Sequence, residues 1–275
     1  EVFMIVFYSD LDNTLIYSYS REIGGKKRCV EVYQGREISF MSEYSYHLLQ
    51  EISKKALFIP VTTRTMEQYQ RIDLGIGIPE YALVCNGGIL LVNGQRDDAW
   101  YEESRNMVQG CQEALHWAAG LLEKDNNVNF EIRNIEQLFL FTKSAQPAQT
   151  VEYMRQELAH TQVDVFSNGA KVYAVPKKLT KGMALCRFRR RIGSSVLFER
   201  QGQDTALHTI AAGDSEFDIP MLQQADVALA PCELHSSIQG GHIIYPEQSS
   251  GQKGLFADFV LRYVEEKCIL NSLNV

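Results

Sequence analysis

Asp10 and Asp12 stand one residue apart in "VFMIVFYSDLDNTLI", residues 2–16, where a run of apolar and aromatic side chains ends. A short run of this kind, rich in β-branched and aromatic residues, reads as a fully buried strand. In an extended segment Leu11 points away from both acids, and Asn13-Thr14 favours a turn that lets the carboxylates converge. Carboxylates that close repel each other unless a cation neutralises them or one is protonated. A hard divalent ion with oxygen ligands meets that need, and Mg²⁺ is the commonest choice. A second pair, Asp214 and Asp218, follows the strand-like "HTIAAG" in "GDSEFDIPML", with Gly213 allowing a tight exit. In a parallel sheet both strand ends lie on one edge, so three or four carboxylates can surround one metal.

Such a cluster needs balancing positive charge. Lys181, in "LTKGMAL", opens a predicted helix. Thr62 and Thr63 end a second apolar strand, "ALFIPVTTR", with hydroxyls and backbone N–H groups expected to be free to hold an oxyanion. Carboxylate, metal, hydroxyl and lysine together suit a phosphoryl group, whose charge the cations neutralise while a carboxylate attacks in line.

The elements that must position these residues follow from periodicity. "SEYSYHLLQEISK" (42–54) opens with a capping serine and places Tyr46, Leu49 and Ile52 at helical spacing. "TMEQYQRIDLG" reads as a short helix stopped at Gly75, and "YALVCNGGIL" as a third strand broken at Asn86-Gly87-Gly88. The order β-α-β-α-β is that of a doubly wound sheet, with ligands beyond the strands' carboxyl ends. The middle of the chain changes character. A long helix over about 104–124 precedes "NVNFEIR" and "QLFLFTK"; a helix over about 147–160 precedes "QVDVFS" and "AKVYAVP", joined by the hairpin signal Asn168-Gly169. This is a separate α+β unit. After Pro176 the βα alternation resumes, and "GLFADFVLRYVEEKC" closes the chain as an amphipathic helix.

Read in order, "DLDNT" (10–14), "TTR" (62–64), Lys181 and "GDSEFD" (213–218) resemble the four motifs of the haloacid dehalogenase-like (HAD) hydrolase superfamily. "NGG" (86–88) looks like the turn that precedes this family's C2-type cap, and the resemblance covers nearly the whole chain. It is similar to the Cof and sucrose-phosphatase type of phosphatase. The resemblance implies an α/β fold: a Rossmann-like doubly wound parallel sheet core, residues 1–88 and 178–275, with an inserted α+β (C2-type) cap, residues 89–177. It implies that Asp10 is the nucleophile and forms an aspartyl-phosphate, and that Asp12 protonates the leaving oxygen and then activates water. Thr62 would bind the phosphoryl oxygen, Lys181 would hold nucleophile and phosphate, and Asp218 would orient Lys181 or a metal-bound water. Asp10, the backbone carbonyl of Asp12, and Asp214 would coordinate Mg²⁺. Thr63, Arg64, Asn86 and Gly87 are the expected substrate contacts.

An acid at position 12 points to phosphatase or phosphomutase chemistry, because the family's dehalogenases lack it and its transport ATPases carry threonine there. Two positions depart from the pattern. Thr63 stands where the family often has glycine, and Phe217 where it often has asparagine. The implied activity is hydrolysis of a small phosphorylated metabolite, a sugar or polyol phosphate. The alternatives left open are a phosphomutase or phosphotransferase using the same nucleophile, and a catalytically silent binding protein.

Composition narrows the classes. The chain has 275 residues, 45% apolar and 22% charged, with a net charge of −7, which weighs against nucleic acid or a membrane surface as partner. "RFRRR" (187–191) is expected to bury Phe188 and leave its arginines on a solvated face. Six dispersed cysteines without a C-x-x-C pair point to reduced thiols in a cytoplasmic protein, and the apolar start is too short to span a bilayer. A monomer or homodimer is expected.

Overall fold

The apolar run near the N-terminus forms the strand Phe3–Ser9, an interior strand of a five-stranded parallel sheet. The order is His242–Ile244, Val227–Leu229, Ala206–Ala212, Phe3–Ser9 and Leu57–Pro60. The computed structural model describes residues 3–201, 206–235, 237–238, 242–246 and 254–273. Residues alternating along Phe3–Ser9 enter different cores, as a sheet covered on both faces requires. Ile5 and Phe7 pack with Leu49 of the helix Glu43–Ile52 and with Val260 and Leu261 of the helix Phe256–Leu273. Met4, Val6 and Tyr8 pack with Phe188 of the helix Lys181–Gln201 and with Met221. Register aligns the exits: Ser9 lies opposite Ala212 on one side and Pro60 on the other. Residues 10, 61 and 213 therefore leave the sheet at the same edge.

The third expected strand behaves differently. Tyr81–Val84 folds back antiparallel on Ile89–Val92, which pairs with Gln95–Arg96; its link to the parallel sheet is the parallel bridge between Val61 and Leu83, continued by the Asn86 and Cys85 N–H groups donating to Thr62 O and Arg64 O. The reversal comes from Cys85, Asn86 and Gly87, at φ of 53°, 58° and 83°. Left-handed backbone is what a tight hairpin needs, and Gly and Asn adopt it most readily. Ile89–Val92, inside the expected insertion, thus pairs with Tyr81–Val84, and Gln95–Arg96 extends the same small sheet.

The α+β unit has a four-stranded antiparallel sheet in the order Val163–Asn168, Lys171–Pro176, Phe139–Lys143 and Arg133–Ile135. One face, including Leu140, Val165, Val172 and Ala174, packs on Leu115, Leu122 and Met154 of the helices Gln112–Lys124 and Pro147–Glu157. The single helix expected over 104–124 is two, Asp98–Val108 and Gln112–Lys124, separated by a 3₁₀ turn at Gln109–Cys111 that contains Gly110. A second antiparallel element was not expected: the hairpin Lys27–Tyr33 with Arg36–Ser42, turning through Gln34 and Gly35 at φ of 51° and 74°.

The arginine run also differs from expectation. Phe188 is buried, but so is Arg187, whose guanidinium lies 3.9 Å from the Trp100 ring centre and donates to Ser104 Oγ and Trp100 O. Arg189 donates to Thr209 Oγ1 and the Gln224 carbonyl, and Arg191 pairs with Asp97. These arginines bind the helix Lys181–Gln201 to its neighbours. No helix among the described residues is long and apolar enough to cross a membrane, and all six cysteines are free.

Candidate active site

Asp10 leaves the first strand with its N–H donating to Ala212 O at 2.9 Å, which fixes it against the neighbouring strand's end. Asn13, at φ 62°, then turns the chain, and its N–H donates to Ile16 O at 2.8 Å. Leu11 is fully buried. The turn places the Thr14 hydroxyl 3.5 Å from Asp10 Oδ2 and 3.2 Å from Asp214 Oδ1, so acids from two different strand ends share one hydroxyl.

Lys181 binds this group together. Its Nζ donates to Asp10 Oδ1 and to Asp218 Oδ1, both at 2.6 Å, and the side chain is 1% exposed. The other Asp218 oxygen accepts from the N–H groups of Asp214 and Ser215 and from Ser215 Oγ, at 3.0, 2.9 and 2.8 Å. Two glycines permit these approaches. A Cβ on Gly182 would lie 2.2 Å from the Pro220 carbonyl oxygen, and one on Gly213 would lie 2.3 Å from Asp218 Cβ.

The electrostatics follow from burial and charge. Burial pushes Asp10 well above the usual carboxylate range; Lys181 opposes this, and Asp218, Asp214 and Asp12 add to it. Burial and the nearby Asp218 push Asp214 up to about 7. Burial disfavours charge on Lys181, but Asp10 and Asp218 outweigh it and hold the ammonium above its ordinary range. The carboxylate oxygens of Asp10, Asp214 and Asp218 lie within 4.8 Å of one another. Asp218 is fully engaged by donors, whereas Asp10 and Asp214 are short of positive charge. That is the donor chemistry of a hard divalent cation with oxygen ligands.

Asp12 lies in a different environment. Burial raises its pKa, but Arg64 outweighs burial and holds it below the usual range. Arg64 Nε and Nη2 each donate to one Asp12 oxygen at 2.8 Å, a bidentate pair. The same guanidinium reaches Glu31 Oε2 at 2.8 Å; Glu31 is 1% exposed and also takes Arg71 and Ser39 Oγ.

The remaining expected residues fall into two groups. Thr62 is buried beside the site, but its N–H donates to Leu83 O at 2.8 Å and is not free for an oxyanion as expected; the irregular pairing with Tyr81–Val84 takes it. Its hydroxyl accepts from the Arg64 N–H at 3.2 Å and keeps its own proton to donate. Thr63 faces the phenol of Tyr173, from the α+β unit. Asn86 and Gly87, expected to touch substrate, contact the scaffold, and the Asn86 Oδ1 atom has no hydrogen-bond partner among the described residues. Asn86 Nδ2 donates to Leu179 O at 2.7 Å, and a Cβ on Gly87 would lie 2.3 Å from Ala184 Cβ. Both fix the start of the helix that carries Lys181.

Sequence reasoning missed Thr14, Glu31, Ser215 and Tyr173. Thr14 and Ser215 lie inside the motifs and were within reach of it. Glu31 is a lone acid in a mixed polar stretch, and nothing in its spacing marks it as buried.

A family model described as haloacid dehalogenase-like hydrolase matches residues 90–231. Comparison with curated proteins finds no match. Among solved structures, the sucrose-phosphatase of Synechocystis sp. PCC6803, in complex with sucrose and phosphate, is 16% identical at a TM-score of 0.58, over 96% of this chain and 98% of that one. A Thermoplasma acidophilum protein is 13% identical at a TM-score of 0.60, over 96% and 99% of the two chains. The IMP-nucleotidase of Plasmodium falciparum is 10% identical at 0.57, over 96% of this chain and 68% of that one. At these identities the structures establish a shared fold, and the family model spans half of the sequence: the chain belongs to the haloacid dehalogenase-like hydrolases.

Proposed function

We propose that the protein is a Mg²⁺-dependent phosphatase that hydrolyses a small phosphorylated metabolite, a sugar or polyol phosphate, through an aspartyl-phosphate on Asp10. The observation that carries this reading is Lys181 bridging Asp10 and Asp218 at 2.6 Å each, with the Asp214 carboxylate beside them. Asp10, the Asp12 carbonyl and Asp214 would hold the metal, which supplies positive charge to the phosphoryl oxygens and to Asp10.

Lys181 fixes Oδ1 of Asp10, which leaves Oδ2 as the attacking atom. Oδ2 bonds to phosphorus as the ester P–O bond breaks, and the departing oxygen takes a proton from Asp12. Asp12 then accepts a proton from water as that water attacks phosphorus and breaks the bond to Asp10. Arg64 holds Asp12 as the carboxylate, the form required in the second step. Protonation weakens that pair and releases Asp12 toward the leaving oxygen. The Thr62 hydroxyl donates to the phosphoryl group. The α+β unit acts as the cap that excludes water while the parallel-sheet domain carries the chemistry.

The test is phosphate release from a panel of phosphorylated metabolites with Mg²⁺. Turnover is expected from the wild-type chain and its loss in Asp10→Asn or with EDTA. Activity surviving either change would refute the mechanism.

A further inference from the structure

The antiparallel sheet presents a row of aromatic side chains to the parallel-sheet domain. Tyr173 is the direct cross-strand partner of Phe141 on one side and of Phe166 on the other. Directly paired residues share a face, and this face is opposite the one packed on the unit's own helices. Phe217, from the loop between Asp214 and Asp218, docks into the row. Its ring centre lies 4.9 Å from that of Phe166 and 5.1 Å from that of Tyr173, the latter edge-to-face at 78°. Phe217 and Tyr173 are only 6% and 7% exposed.

Tyr173 also meets the other side of the site. Burial raises its phenol pKa, the charges of Asp12 and Asp10 add to this, and the Thr63 side chain opposes it. The contact with Phe217 sets the ring against the loop that carries Asp214 and Asp218, on a side of the site that the charges of Asp10 and Asp12 also reach. The two positions that depart from the family's usual motifs, Thr63 and Phe217, converge on this one residue. Lys171, two residues along the same strand and on the same face, is exposed, and its charge reaches Asp12. The strand Lys171–Pro176 thus brings an aromatic ring and an ammonium to the side of the site that faces Asp12 electrostatically. An ion pair between Arg155 and Glu216, at 3.3 Å, joins the helix Pro147–Glu157 to the loop that carries Phe217.

From this geometry we infer that Tyr173, held by Phe217 and Thr63, is the residue that limits leaving-group size, so that the site accepts compact phosphate monoesters and excludes those of disaccharide bulk. The inference rests on the phosphatase reading and deepens it. The experiment compares kcat/KM for acetyl phosphate, glycerol phosphate and trehalose 6-phosphate. Acetyl phosphate reports phosphoryl transfer to Asp10 with little demand on space.

The wild-type chain is expected to turn over the first two and to discriminate against the third. Tyr173→Ala should raise the ratio of disaccharide phosphate to acetyl phosphate by about tenfold or more, the scale on which pocket volume discriminates. Phe217→Asn and Thr63→Gly should raise it by about threefold or more, since each removes one support. Tyr173→Phe keeps the ring and should leave the ratio within about twofold of wild type. A ratio unmoved in Tyr173→Ala would overturn the gate alone, as would a wild-type chain that accepts the disaccharide phosphate as readily as glycerol phosphate. Inactivity of the wild type on acetyl phosphate would overturn the phosphatase reading and the gate with it. Should Tyr173→Ala fail to fold, as shown by its melting curve, Phe217→Asn decides the matter by the same ratio.

Discussion

At the scale of the residue, the site separates its acids by the partner each one has. Asp10 and Asp218 share an ammonium, Asp12 has a guanidinium, and Asp214 accepts from the Thr14 hydroxyl alone among the described residues. Arg64 is the most exposed to a test of this arrangement, because it neutralises Asp12 and the fully buried Glu31 at once. Replacing Arg64 by Ala leaves Glu31 with Arg71 and Ser39 alone, and removing one partner of a buried pair costs about 3–5 kcal/mol. Urea unfolding of Arg64→Ala should show a loss of that order. Adding Glu31→Gln should recover part of it, because position 31 then carries no buried charge short of a partner, while Asp12 still lacks its guanidinium. An unchanged midpoint in the single variant would mean that the Arg64–Glu31 pair contributes nothing net.

Among the elements, a tight backbone constraint lies where the helix Lys181–Gln201 begins. Gly182 meets the backbone of Pro220, and the atom that would have to move is a carbonyl oxygen. Gly182→Ala is therefore expected to lower stability by about 1–3 kcal/mol, the usual cost of overpacking, and to displace Lys181 from Asp10, with turnover falling more than stability. Gly120, inside the helix Gln112–Lys124, has nothing within 4 Å of a built Cβ. There the exchange to Ala should stabilise the protein by about 0.5–1 kcal/mol through helix propensity alone. Thermal melts of both variants check the contrast; equal effects would contradict the packing explanation. How much of these elements is legible in the sequence depends on whether the signal is local. The first strand, the capping serine at 42, the Asn168-Gly169 hairpin and the acids at the strand ends are all readable from spacing. The hairpin Lys27–Ser42 is not, because its strands mix charges with β-branched residues and its turn is Gln-Gly rather than Asn-Gly. The reversal at Cys85–Gly87 hides for a different reason: an apolar run on each side of it suits a parallel strand equally well. Glu31 and the Tyr173–Phe217 contact depend on elements distant in sequence, and no periodicity marks them.

For the whole molecule, the acid cluster makes stability depend on pH and metal together. A carboxylate whose folded pKa is raised, as at Asp214, binds its proton more tightly in the folded chain than in the unfolded one. Between the unfolded carboxylate value and about 7, the metal-free protein therefore loses stability as pH rises. A divalent cation reverses this by favouring the ionised form. The rise in melting temperature caused by Mg²⁺ should accordingly be larger at pH 8 than at pH 6. It should shrink in Asp214→Asn at pH 8. A shift independent of pH would contradict a metal held by Asp214.

The most direct test is chemical. During turnover the chain would be quenched and treated with borohydride, which reduces an acyl phosphate on aspartate to homoserine, and the peptide carrying residue 10 would be sequenced by mass spectrometry. Homoserine at position 10, present only when substrate has been added and absent in Asp10→Asn, is the expected result. Phosphate release with residue 10 unmodified and the reduced residue elsewhere would contradict the assignment of the nucleophile.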